Sequence, residues 1–461
     1  MLAVHVPLNF GSAGVELLDT MDVQRLIPDA LRGPATQRDL DIPMNVVEDL
    51  VLRRAFQANR TSVSRLSHEL ALSAQIITDC FESLRSRDYV DVVKLEGNDY
   101  VFSLTSMGRE RASASLDRCA YNSIAPVSLA RYTEVVTMLR SEVHVTPEMV
   151  RHAFQDLVMN QKTVDRIGPA FSTQQSIFFY GPSGTGKTSI AERLIRLYDD
   201  WVVVPYAVEM DGQIIVVFDP TVHRAVERQP PGFDRRWVVC ERPIVVAGGE
   251  LELSMLQLKR DPISKVFAAP LQMKANNGIF LVDDFGRQLI PPGALLNRWI
   301  VPLERRIDYL SLDSGLKFSI PFEVLVVFST NLDPAKLGDE AFFRRIQNKI
   351  YIGATTIEEF DMILDRTAER FGVELDEDAH TLVRMVCREF GRGRLYPCYP
   401  VDLVRLVKSI CEYGGGPTLL DRDTLWKAAE LYFTTGSPGD WNEEQMTGVF
   451  TTEMAVSGIG K

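Results

Sequence analysis

The sequence predicts an α/β fold in which a parallel-sheet core is followed by a helical lid and preceded by a smaller α+β module. Three observations predict it. The apolar run Ser176-Ile177-Phe178-Phe179-Tyr180 leads through a glycine-rich loop into a helical segment. Two further apolar runs, Gly278 to Val282 and Val324 to Thr330, each stop at polar residues, as strands buried on both faces do. Helical spacing then dominates from about residue 355 to 433.

In chain order, residues 1–44 form an irregular leader rich in glycine and proline. Residues 45–118 carry three helical segments and a hairpin. The first helix is centred on Val46 to Phe56, the second opens at Thr61-Ser62, and Ser73 caps the third. The hairpin joins Tyr89 to Val93 and Tyr100 to Leu104 across Glu96-Gly97-Asn98-Asp99. Three helices and a hairpin describe a winged helix. Residues 119–160 read as a helical linker and 161–354 as the core. A β insertion spans 199–275, in which Asp211-Gly212 marks a two-residue hairpin turn. Residues 355–435 form the lid and 436–461 a flexible tail.

Composition narrows the classes. The 461 residues suffice for about three domains, and 46% apolar content supports ordinary cores. A formal charge of −12 argues against generic binding to nucleic acid or anionic membranes. The six cysteines show no CxxC pairing or histidine cluster, so neither zinc nor a disulfide framework is indicated. No apolar stretch approaches the roughly 20 residues of a membrane helix, and a cytoplasmic protein without membrane partners is expected.

The loop Gly181-Pro182-Ser183-Gly184-Thr185-Gly186-Lys187-Thr188, followed by Ser189, has the complete pattern of a phosphate-binding loop. Glycines let backbone N–H groups converge on phosphate oxygens, Lys187 meets the β and γ phosphates, and Thr188 offers its hydroxyl to Mg²⁺. ATP or GTP is the implied ligand. About a hundred residues later, the strand Gly278 to Val282 ends in Asp283-Asp284. Asp283 suits the Mg²⁺ shell and Asp284 the polarisation of an attacking water. Asn331, at the end of the third strand, either orients that water or caps the turn Leu332-Asp333-Pro334. Arg344 and Arg345 either neutralise charge on a phosphoryl group held by a neighbouring subunit or pair locally with Asp339 and Glu340.

This order of motifs resembles that of AAA+ ATPases over about residues 150–435. The resemblance implies a P-loop core with a helical lid, Asn331 as sensor 1, and Arg344 or Arg345 as the finger acting in trans. Lys274 to Leu281 and Leu295 to Arg306, with a hairpin at Ile307 to Phe322 turning near Asp313-Ser314-Gly315, resemble the branch with a hairpin before sensor 1. That branch includes MoxR-type chaperones, magnesium chelatase subunits and enhancer-binding proteins. Two positions depart from the family pattern. Asp284 stands where Glu is usual, as in DnaA-like initiators, and Val401 stands where many relatives carry the sensor 2 arginine, with Arg405 one helical turn on.

The expectation is an ATP-hydrolysing, ring-forming ATPase, a hexamer by resemblance, that remodels a partner held by the winged helix or the insertion. A DNA-associated ATPase of initiator or transposition-helper type is the first alternative, and would use Gln75, Thr78, Arg85, Arg87 and Lys94. The near balance of acids and bases in 45–118 favours a protein-binding module. A nucleotide-gated scaffold with little turnover is the second alternative.

Overall fold

The structure, a computed structural model, describes residues 28–227, 229, 232–334, 337, 343–391 and 393–433. The flexible tail expected at 436–461, most of the leader, and the acids Asp339 and Glu340 lie outside these residues. The chain divides into two compact units, one comprising residues up to 154, 164–181 and 187–351, the other 155–163, 182–186 and the residues from 352 onward.

The first unit is organised by a five-stranded parallel sheet. Its strands are β5 (Ile177–Tyr180), β10 (Ile244–Ala247), β13 (Ile279–Val282), β16 (Leu325–Thr330) and β17 (Asn348–Tyr351), ordered β10-β13-β16-β5-β17. Every residue of β13 and β16 is buried, which explains runs of apolar residues without alternation. Phe280 packs edge-on against Trp299 of α10 (Pro292–Arg305) with centroids 5.1 Å apart, and Phe285 against Phe328 at 5.1 Å. Such aromatic burial adds to the apolar core under the sheet that carries the site.

Strand β10 differs from the sequence reading. Residues 244–247 were expected inside the insertion, yet they pair in parallel with β13, Ile244 beside Ile279 and Ala247 beside Val282. The insertion proper is an antiparallel ribbon, β6 (Trp201–Pro205) with β9 (Trp237–Glu241), and the hairpin of β7 (Ala207–Met210) with β8 (Gln213–Val216). Asp211 and Gly212 turn that hairpin at φ of 50° and 75°, the conformation two-residue turns require. β8 continues to β12 (Phe267–Ala268) and β11 (Lys259–Arg260), and β7 to β4 (Val127–Ser128). The stretch read as a helical linker thus also supplies a strand, and its helix α5 (Leu129–Met138) buries Tyr132, Val135 and Val136 in the insertion's core.

The amino-terminal block contains α1 (Met44–Ala58), β1 (Thr61–Ser62), α2 (Val63–Leu70), α3 (Ala74–Ser86), β2 (Val90–Glu96), β3 (Asp99–Leu104) and α4 (Ser106–Arg118). The strands form an antiparallel sheet ordered β1-β3-β2. Ser62, Ser73 and Thr105 cap α2, α3 and α4 with their hydroxyls. This block shares its core with Ala207 and Ile214 of the insertion, while Ala30 and Leu31 from the leader enter the insertion's core. Arg236 seals the junction. It is 2% exposed, pairs with Asp234 at 2.8 Å and Asp41 at 2.6 Å, and donates to Pro126 O at 3.1 Å.

The hairpin β14 (Ile307–Ser311) and β15 (Lys317–Pro321) stands where expected, between α10 and β16. Its inner residues Leu310, Phe318 and Ile320 lie in the insertion's core, and buried Asp308 pairs with Arg298.

In the second unit, α11 (Ile357–Phe371) opens with a reciprocal capping box between Thr356 and Glu359 and closes at Gly372, φ 66°. With α12 (Ala379–Phe390), α13 (Cys398–Gly414) and α14 (Arg422–Tyr432), it encloses a core that includes Phe360, Leu364, Val383, Leu403 and Leu425.

Candidate phosphate-binding site

The site is built where parallel strands end. The register sets Thr330 beside Tyr180 and Val282 beside Phe328, so Gly181, Asp283 and Asn331 each begin where a core strand stops. In α/β sheets the crevice at the carboxyl ends of the strands is the usual place for ligands.

Gly181 follows β5 at φ 144°, and Gly184 and Gly186 have φ of 77° and 83°. These backbone conformations favour glycine, and Gly184 is constrained further. A Cβ there would come within 2.3 Å of Cys398 Sγ, and Cys398 N–H donates to Gly184 O at 3.2 Å. Thr185 is buried, its hydroxyl donating to Pro182 O at 3.0 Å, while Ser183 is exposed.

Lys187 opens α8 (Lys187–Arg193) and is only 7% exposed, with Nζ donating to Gly181 O at 3.0 Å. Burial pulls its ammonium below the ordinary lysine pKa, against the opposing pull of Asp284 and Asp283. The ammonium is thus held largely out of water with two carboxylates close by. The Thr188 hydroxyl lies 2.9 and 3.0 Å from the two carboxylate oxygens of Asp283, although 95 residues separate them in sequence. Ser189 O accepts from Arg193 at 2.8 Å within the same helix.

Asp284 is exposed and has φ 49°, a left-handed conformation that Asp tolerates better than most residues. Two neighbours that the sequence reading did not single out hold this turn. The Thr330 hydroxyl, fully buried, donates to Phe285 O at 2.7 Å and accepts from Leu332 N at 3.1 Å. The Gln288 amide reaches back to the carbonyls of both aspartates. Neither belongs to a periodic pattern or a spaced motif; only the final Thr of an apolar strand gave a signal.

Asn331 is half-buried immediately after β16. Arg345 forms an ion pair with Glu304 at the end of α10, whereas Arg344 is exposed. In the second unit, Val401 is half-buried on α13, and the Arg405 guanidinium lies over the Phe371 ring, 5.4 Å from its centroid.

The donor set fits a magnesium nucleotide. A hydroxyl and a carboxylate meeting at hydrogen-bond distance supply the hard oxygens that Mg²⁺ favours, and the loop's glycines take the positive-φ conformations such a loop requires. Among the described residues no cluster of three metal-ligating side chains occurs, and no helix is long and apolar enough to cross a membrane.

Comparison with known proteins gives limited context. Residues 356–431 match a family model described as a domain of unknown function (DUF8689), covering α11 to α14. No curated protein matches. Among solved structures the chain is similar to the Thermotoga maritima RuvB Holliday junction branch migration motor, at 16% identity over 64% of this chain and 72% of that one, with a TM-score of 0.34. It is also similar to NtrX from Brucella abortus, at 13% identity over 64% of this chain and 60% of that one, TM-score 0.42. NtrX in complex with ATP gives 15% identity with the same coverage and a TM-score of 0.38. At these scores neither structure supplies an argument about function, which rests on the geometry of the strand ends.

Proposed function

We propose that the chain is an AAA+ ATPase that hydrolyses ATP in a homo-oligomeric ring and remodels a macromolecular partner. The observation that carries this reading is the Thr188 hydroxyl against the Asp283 carboxylate, beside a buried Lys187 that closes a glycine loop. Thr188 and Asp283 would hold Mg²⁺, which when bound offsets the charge of the β and γ phosphates. Lys187 and the loop N–H groups bind and orient the triphosphate. Asp284 accepts a proton from the water that attacks the γ-phosphorus, the bond to the bridging β–γ oxygen breaks, and ADP and phosphate result. Asn331 orients the same water. Arg344, exposed while Arg345 is engaged by Glu304, is the better candidate for neutralising charge in a neighbouring subunit's site.

The amino-terminal block, whose helix and strand order supports a winged-helix reading, suits a protein partner better than DNA. Four of the five side chains nominated for DNA contact are engaged inside the block. Gln75 donates to Asp79 at 2.7 Å, Thr78 to Ala74 O at 2.8 Å, Arg87 pairs with Glu48, and Lys94 pairs with Glu96. Cations already paired, as Arg87 and Lys94 are, contribute less to phosphate binding. The alternative of a nucleotide-gated scaffold draws on Asp284 in place of Glu and on Arg405 being stacked on Phe371.

Phosphate release by the purified protein tests the reading, with oligomer mass measured in ATP. Asp284→Asn is expected to retain ATP and lower turnover by about 100-fold or more, and Lys187→Ala to weaken ATP binding by about 100-fold or more. Specific activity should rise with protein concentration as rings assemble. Normal turnover by Asp284→Asn would refute the catalytic assignment, and concentration-independent specific activity from a monomer would refute the ring. ATP binding without turnover in wild type would favour the scaffold.

A further inference from the structure

The turn after β13 holds its second aspartate in an uncommon conformation. Asp284, at φ 49°, is a non-glycine residue in the left-handed region, a conformation that persists where the surroundings impose it. Backbone bonds secure part of the turn: Phe285 N donates to Ser329 O at 2.7 Å and Arg287 N to Asp284 O at 3.0 Å. Two side chains supply the rest: the Thr330 hydroxyl donates to Phe285 O at 2.7 Å, and Gln288 grips the residues before it. Gln288 Nε2 donates to Asp283 O at 2.7 Å and to Asp284 O at 3.2 Å, and its Oε1 accepts from Gly286 N at 2.8 Å.

We propose that Gln288 is a positioning residue for the two site carboxylates, an inference that rests on the hydrolytic reading above. A single amide grips the carbonyls of both aspartates and the amide N–H of Gly286, so it fixes the direction in which the chain leaves Asp283 and the sign of φ at Asp284. If Asp284 relaxed to negative φ, its Cα–Cβ bond would swing to a different direction and carry the carboxylate away from the place where it would take the water's proton. Asp283, one residue earlier and bonded to Thr188, would move much less. Gln288 therefore acts on the hydrolytic step and leaves nucleotide binding to Lys187, Thr188 and Asp283. The role depends on both ends of the amide: the NH₂ is needed for the two carbonyls and the oxygen for Gly286.

Gln288→Met keeps the length and approximate volume of the side chain and removes every hydrogen bond. The expected result is a 10- to 100-fold lower kcat, of the order produced by misplacing a reacting group by about 1 Å, with the KM for ATP, the affinity for a fluorescent ATP analogue and the Tm unchanged. Gln288→Glu, which retains an acceptor for Gly286 and loses both donors, should behave likewise, and the exposed neighbour variant Arg287→Ala should match wild type. Amide hydrogen exchange over residues 284–288 should speed up in both Gln288 variants whether or not ATP is hydrolysed. Unchanged kcat and unchanged exchange would overturn the proposal, and so would a joint fall of nucleotide affinity and Tm, which marks a general structural role. If wild-type protein fails to hydrolyse ATP, the hydrolytic reading falls, and the exchange result alone then decides whether Gln288 holds the turn.

Discussion

Arg236 and Asp284 are charged residues placed in opposite ways, and the contrast separates a charge saturated inside the fold from one presented at its surface. Arg236 is buried at the junction of leader, linker and insertion, with Asp234, Asp41 and a backbone carbonyl taking its donors. Its pKa is raised: burial pulls it down, and the two carboxylates outweigh that pull. Asp284 is exposed, strained at φ 49°, and held through its main chain by neighbours. A saturated charge contributes geometry, whereas an exposed carboxylate on a strained turn is available to a ligand.

Stability measurements sharpen the contrast most. Arg236→Ala leaves Asp234 and Asp41 buried without their cation, and is expected to cost about 3–5 kcal/mol in denaturant unfolding, while Asp284→Asn should stay within about 0.5 kcal/mol of wild type. Equal losses would erase the distinction. Thr330→Val tests the boundary between the two kinds of site, because it removes a buried hydroxyl that serves Phe285 O and Leu332 N. An expected loss of about 1–3 kcal/mol with slower hydrolysis would show a residue serving both roles. A loss of hydrolysis with no change in stability would move Thr330 wholly to the active side.

The smallest expected effect is on acid stability. Asp219 accepts from Lys274 at 2.8 Å; burial pushes its pKa up, but the Lys274 and Thr221 hydrogen bonds win and bring it from 3.8 down to about 2. A depressed carboxyl contributes stability above its unfolded pKa and loses it as pH falls through the folded value. Asp219→Asn should therefore flatten the decline of Tm between about pH 4 and pH 2, and leave the curve unchanged at neutral pH apart from a uniform offset.

Much of the parallel core and of the glycine loop at its strand ends was legible because each depends on local pattern. An apolar run followed by Gly181 to Thr188, or by Asp283-Asp284, announces both a buried strand and what stands at its end. Strand β10 was not legible as core, since Ile244 to Ala247 follows closely on β9 and shares its β-branched composition. Only the pairing with β13, across more than thirty intervening residues, distinguishes them. Gln288 escaped for a related reason: its role lies in three hydrogen bonds to a turn whose φ at Asp284 no residue pattern announces. The left-handed turn also gives the identity of residue 284 a physical context, because Asp is enriched in that conformation.

The merged core of the amino-terminal block has a practical consequence for anyone wishing to cut the protein into parts. Chain order suggests a domain that ends near residue 118, yet Ala207 and Ile214 complete its interior, and Arg235 of the insertion donates to Ser67 O at 3.0 Å. A fragment excised at that boundary would carry an unfinished apolar face into solvent. Binding partners are therefore better sought with all 461 residues as bait than with the first 118 alone.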